Sequence, residues 1–222
     1  MTVLFVFGTI VLFLTIDWLV QRRTKRQEIP AIQPAFKSWT ARTPEGIFFA
    51  RSHTWLNLFP SGKVRLGVDD FIGRLFENPE VLLLKQTGDR VARGEPLFLI
   101  REHGHELTIR SPIEGQVLAS NDELPRNPGL LKELLFSDGW AYTIKPARTA
   151  EFRDLLLGEE TLAWMRSEFS RLRDMFAGAS LQGQPVLLQD GGLPASGSIK
   201  LFNNELAQQF EDQFLQVNGR KP

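Results

Sequence analysis

Two of the three histidines in this 222-residue chain, His103 and His105, flank Gly104 and stand directly before Glu106. Imidazole nitrogens beside a carboxylate can bind Zn, Cu or Ni, so any metal chemistry in this sequence belongs to this H-x-H-E cluster. Two or three ligands on one exposed tip form a weak, open site. The competing reading is a polar tip that is solvated or touches another protein, and no metal site is assigned. Other chemistry is missing. Without cysteine there is no disulfide, thiol nucleophile, Cys-ligated zinc or iron–sulfur cluster. No G-x-S-x-G elbow, Walker loop or G-x-G-x-x-G follows a strand. Carboxylates are plentiful, but no spacing singles out an acid/base pair, so the chain is expected not to be an enzyme and to carry no cofactor.

The elements that must position the tip run from Val91 to Val117. Leu97, Leu99, Leu107 and Ile109 alternate with other residues, as in two short strands folded back on each other. Gly94-Glu95-Pro96 opens the first strand and Ser111-Pro112-Ile113-Glu114-Gly115 follows the second, both turn chemistry. Gly104 can take a positive φ without a Cβ penalty, so the turn is placed there.

Before this hairpin, Ile47–Ala50, Ser52–Leu58 and Val64–Val68 read as strands, Asp69–Phe76 as one or two helical turns, and Val81–Leu84 as a short buried strand. After it, Leu130–Leu135 is an apolar turn and Tyr142–Pro146 a closing strand. Many short strands with Gly/Pro punctuation predict a small barrel or sandwich. Leu162, Met165, Phe169, Leu172 and Phe176 form one stripe on a helix opened by Glu159-Glu160. Trp164 lies off that stripe and is a candidate for partner contact. After a loop-rich stretch from Ala179 to Ser198, a last helix is capped by Asn203 or Asn204. It carries Leu206, Phe210 and Phe214 at i, i+4 and i+8. Three large apolar residues on an appended helix must be buried on the domain or on another subunit, and they too are partner-contact candidates.

The N-terminus is apolar from Thr2 to Val20, broken only by Gly8, Thr9, Thr15 and Asp17. As a helix it would span roughly 28 Å. Positive charge follows the apolar run instead of preceding it, and no small-residue cleavage site follows, so an uncleaved transmembrane anchor is expected. Arg22, Arg23, Lys25 and Arg26 place that edge, and the folded domain, on the cytoplasmic side. Asp17 beside Trp18 is expected at headgroup level. Lys+Arg and Asp+Glu balance at 26 each, which gives no basic footprint for nucleic acid.

Several motifs then occur in order: His53-Thr54-Trp55-Leu56, Gly67-Val68-Asp69-Asp70-Phe71, Gly88-Asp89-Arg90-Val91, Gly94-Glu95-Pro96, Ser111-Pro112-Ile113-Glu114-Gly115, Asn127-Pro128, and Gly139-Trp140 followed by Ile144-Lys145-Pro146. This ordered set resembles the H protein of the glycine cleavage system over about Phe48 to Ala177. The resemblance implies a mainly β, barrel-sandwich hybrid (lipoyl-domain-like) fold with a protruding hairpin and C-terminal helices. It also implies a structural His53. The family's lipoyl lysine falls on Gly104, and no lysine occurs between Lys85 and Lys132. Lipoylation needs a primary amine, so no lipoate is expected. The family's glutamate shortly before that lysine is altered too, with Arg101 and Glu102 in its region.

The expected organisation is an anchor (1–21), a Pro-containing linker (22–45), an H-protein-like domain (46–150) with a helical segment (151–178), and a loop-rich tail ending in a helix (179–222). The expected role is a non-enzymatic, single-pass membrane module that docks with other subunits of a complex on the cytoplasmic face of the bilayer. The rival readings are a metal-binding or carrier protein using His103, His105 and Glu106, and a regulator that mimics H protein toward glycine cleavage or lipoylation enzymes.

Overall fold

The computed structural model describes residues 41–181, 188–189, 193–194 and 196–217. The expected anchor, with Asp17, Trp18, Arg22, Arg23, Lys25 and Arg26, and most of the expected linker lie outside these residues. Among the described residues no helix is long and apolar enough to cross a membrane.

The chain opens with a meander, β1 (Ile47–Ala50), β2 (Thr54–Leu58) and β3 (Val64–Val68), antiparallel throughout. A short helix, α1 (Asp70–Leu75), follows, then β4 (Glu80–Leu83), β5 (Arg90–Val91), and the hairpin of β6 (Pro96–Glu102) and β7 (His105–Arg110). Next come β8 (Gly115–Ser120), the one-turn helices α2 (Glu123–Arg126) and α3 (Leu130–Glu133), and β9 (Tyr142–Pro146). The long α4 (Glu159–Leu181) and α5 (Asn204–Phe214) complete the chain, with a two-stranded ribbon, Leu188–Gln189 against Leu193–Pro194, between them. The strands form a six-stranded sheet, β1-β2-β3-β9-β8-β5, and a three-stranded sheet, β4-β6-β7.

Alternation sorts the hairpin sheet. Val81, Phe98, Ile100, Leu107 and Ile109 are buried, whereas Leu82 and Arg101 lie open on the other face. Tyr142 ties the sheets together: its hydroxyl donates to the Leu97 carbonyl at 3.0 Å and accepts from the Lys85 N–H at 2.9 Å. The α1 helix starts where Asp69, as N-cap, accepts from the Phe71 and Ile72 N–H groups at 3.0 and 3.2 Å. Glycine inside this helix has a packing cause. A Cβ on Gly73 would stand 2.7 Å from the Leu131 carbonyl oxygen of α3.

Two expectations need correction here. Trp164, Leu206, Phe210 and Phe214 are between 0% and 8% exposed and belong to this domain's own core. The apolar face of α4 is wider than the single stripe, with Thr161, Trp164, Met165, Glu168, Phe169, Leu172, Met175 and Phe176 all buried and Leu162 only half-buried. The α5 helix closes over that face in a three-ring cluster, with Phe210 6.0 Å from Phe71 and 4.9 Å from Phe214, and Phe71 5.3 Å from Phe214. Four apolar side chains that looked unpartnered are thus satisfied within the chain. The linker also ends earlier than expected. Ala41 is buried, and Arg42 donates to the Asp70 carboxylate at 2.7 Å.

Candidate functional site

The hairpin turns in two residues. His103 and Gly104 both have positive φ, +53° and +80°, while Glu102 and His105 close the ladder. Two positive-φ residues in a two-residue loop match the right-handed twist of the flanking strands. Among the described residues a Cβ added at Gly104 would meet nothing within 4 Å, so this position is open.

Behind the turn the tip is fixed by one carboxylate. Glu102 is 7% exposed, and its two oxygens accept the backbone N–H groups of Glu77 and Asn78 at 2.7 and 2.6 Å. It therefore anchors the hairpin end to the segment after α1. Across the ladder, Arg101 pairs with Glu106. A cavity of about 430 Å³ opens between these groups, lined by Asn78, Glu80 and residues 101–106.

His103, His105 and Glu106 do lie together at this cavity, but not as a ligand set. His103 stands in the turn with Nε2 3.7 Å from Glu102, Glu106 is engaged by Arg101, and His105 faces the Phe202 ring at 6.4 Å. Among the described residues no group of three or more His, Asp or Glu side chains is placed to hold a metal ion. The tip presents mixed charge, an open glycine and a shallow hollow.

A second polar constellation lies in the core, built around His53. Its backbone takes a left-handed turn, φ +58°, between β1 and β2. Nδ1 contacts Asp69 Oδ2 at 2.8 Å, and Nε2 lies 3.7 Å from Glu168 on α4. Arg171, one turn further on, grips both oxygens of Glu168 at 2.8 and 2.6 Å and donates to the Gln213 carbonyl at 3.1 Å. Its guanidinium also sits over the Phe214 ring, 4.7 Å from the centroid. Burial pulls the imidazole pKa down, but the Asp69 and Glu168 carboxylates outweigh it and the net direction is up. Burial likewise opposes ionisation of Glu168, yet His53 and Arg171 hold its pKa below the ordinary range. Both directions favour the charged forms of His53 and Glu168. His53 is stacked on Phe71 at 4.0 Å and on Trp164 at 4.9 Å, and no part of it is exposed. It joins the first turn, α1, α4 and α5 and is positioned for structure, not for turnover.

The sequence carried little trace of this network. No spacing singles out Glu168 or Arg171, and His53 and Asp69 stand out only as members of the ordered motifs.

A fold of two small antiparallel sheets with a protruding hairpin, closed by a C-terminal helix, defines a lipoyl-domain-like module. The chain belongs to the glycine cleavage H-protein family: the match to "Glycine cleavage H-protein" covers residues 47–168, more than half of the sequence. Among relatives, the glycine cleavage system H protein of Psychrobacter sp. (strain PRwf-1) is 28% identical over 120 residues, 54% of this chain and 95% of its own. That of Chromobacterium violaceum is 30% identical over 113 residues, 51% and 88% of the respective chains. A crystal structure of the H protein from Mycobacterium marinum is similar with a TM-score of 0.47 and 21% identity, over 53% of this chain and 94% of that one. The α5 helix lies beyond the matched residues.

Proposed function

We propose that this chain is a non-enzymatic H-protein-like module that is not lipoylated and acts as a membrane-anchored docking or structural subunit of a complex on the cytoplasmic face of the bilayer. The observation that carries this reading is Gly104. In the resemblance drawn above, the family's lipoyl lysine falls at the hairpin tip, and here the tip has no amine. The two flanking lysines do not substitute for it. Lys85 is paired with Glu95, and Lys132 donates to the Glu77 carbonyl at 2.9 Å. A carrier arm needs an amide to a primary amine, so the shuttle activity is lost while the scaffold is kept. The apolar segment 2–20 and the cations after it support anchoring and its orientation. The mixed-charge tip, fixed by Glu102, supplies a rigid surface for a partner.

Two measurements test this. Intact mass of the full-length chain after incubation with a lipoate ligase and lipoate is expected to be unchanged. A mass gain in the wild-type chain would overturn the loss of carrier function. Mild-detergent purification of the tagged protein from its native membrane is expected to recover a fixed set of stoichiometric subunits. Recovery of the chain alone would overturn the docking role.

A further inference from the structure

Away from the hairpin tip, a cleft of about 490 Å³ opens beside the turn between β1 and β2. Its lining has two characters. Ala50, Pro112, Leu155, Leu156 and Val217 supply apolar surface, and Arg51, Arg93 and Arg153 supply positive charge against the two carboxylates of Asp154 and Glu160. The backbone around it is firmly built, since Phe49 and Leu156 exchange both N–H···O bonds at 2.9 and 2.8 Å.

The charges do not balance within the cleft. Arg93 is matched by Asp154 at 2.9 Å, and Arg51 approaches Glu160 at 3.9 Å. Arg153 has no ion-pair partner among the described residues, which leaves one guanidinium in excess. A second observation points the same way. Ser52 also lines the cleft, is 3% exposed, and its hydroxyl has no hydrogen-bond partner among the described residues. Buried hydroxyls are ordinarily satisfied, so this one, enclosed in the cleft wall, is a donor that a small side-chain shift would bring to a ligand.

We propose that this cleft binds a small organic carboxylate with an apolar body. One free guanidinium fork matches the two oxygens and single charge of a carboxylate. The leucine and valine wall takes the body, and the size is that of a small-molecule site. One wall, Val217, comes from the segment after α5, outside the family-matched residues. The site is independent of Gly104 and of any docking role.

The test uses the full-length chain in zwitterionic nanodiscs, with hexanoate as probe and ligand-observed saturation-transfer NMR as readout. Hexanoate is expected to saturate at about millimolar concentration, as its few heavy atoms allow. Hexanol is expected to bind about tenfold more weakly, and Arg153→Ala to weaken hexanoate at least about tenfold. Ser52→Ala is expected to weaken it with an unchanged melting temperature, and Arg126→Ala, outside the cleft, to leave it unchanged. Failure to saturate, equal binding of hexanol, insensitivity to either cleft substitution, or displacement by inorganic phosphate at equal affinity would each overturn the proposal.

Discussion

The backbone N–H of Thr108 donates to Glu211 Oε1 at 2.7 Å, so a helix from the end of the chain satisfies the edge of the hairpin's outer strand. Among the described residues β7 pairs only with β6, which leaves its far edge to be covered. Because α5 lies beyond the family-matched residues, this cover is an addition to the common domain. Glu211→Ala is expected to destabilise the chain by about 1–2 kcal/mol, the range for losing a charge-assisted hydrogen bond at a half-buried donor. Hydrogen exchange should localise the effect, with the Thr108 amide losing more protection than its hydrogen-bonded neighbours in β6.

Phe210 distinguishes a core helix from a partner-facing one. Its ring is fully buried, 5.4 Å from Phe202 and 4.9 Å from Phe214. Phe210→Ala is expected to lower the stability of the isolated chain by about 3–4 kcal/mol, as for a truncated core phenylalanine. Urea unfolding measures this directly. A variant as stable as the wild type would return the Leu206–Phe214 stripe to a partner.

Glu102 is expected to set the rigidity of the tip. Its carboxylate holds two backbone N–H groups that would otherwise be left without partners. Glu102→Ala should cost about 2–4 kcal/mol, and Glu102→Gln, which keeps one acceptor, should cost less. Amide exchange at Glu77 and Asn78 should accelerate in both, with Ala the stronger.

Gly104→Lys tests whether the hairpin still presents its tip as the family does. The position faces open space, so the side chain would not clash, although φ +80° costs a non-glycine residue about 1–2 kcal/mol. The variant is expected to fold and to gain the mass of one lipoyl group with a lipoate ligase. A folded but unmodified variant would show that the surroundings of the tip, Arg101 included, have diverged as well as the lysine.

The strand pattern was legible because the signals are local. Alternation of Leu97, Leu99, Leu107 and Ile109, with Gly104 between them, fixes a hairpin from a dozen residues, and the Asn203 cap is read from its own helix start. The partners of Trp164 and Phe210 were not legible. Whether an apolar stripe meets its own domain or another chain depends on where α5 lands, and a loop-rich connection carries no signal for that. Glu102, Glu168 and Arg171 were missed for a related reason. Charged side chains are assumed solvated until a long-range contact buries them, and each meets partners supplied from far along the chain.

The buried ion pair makes stability depend on pH with a definite sign. His53 has its folded pKa raised above an unfolded value near 6.5, so its contribution is fully present below that value and is lost as pH rises through the folded pKa. Glu168 has its folded pKa lowered from 4.5, so its contribution is present above that value and is lost as pH falls through the folded pKa. Together they place the pair's maximum between about pH 4.5 and 6.5, with a decline on the alkaline side. Urea midpoints measured from pH 5 to 9 should fall across the upper half of that range. His53→Asn keeps a side chain suited to the left-handed turn at φ +58° and removes the titration. It is expected to be less stable than the wild type at the acid end of that range, where Glu168 and Asp69 lose their shared cation, and to show a flatter alkaline limb. A variant whose midpoint still tracked the wild-type slope above pH 6.5 would assign that slope to other groups and leave His53 neutral in the folded chain.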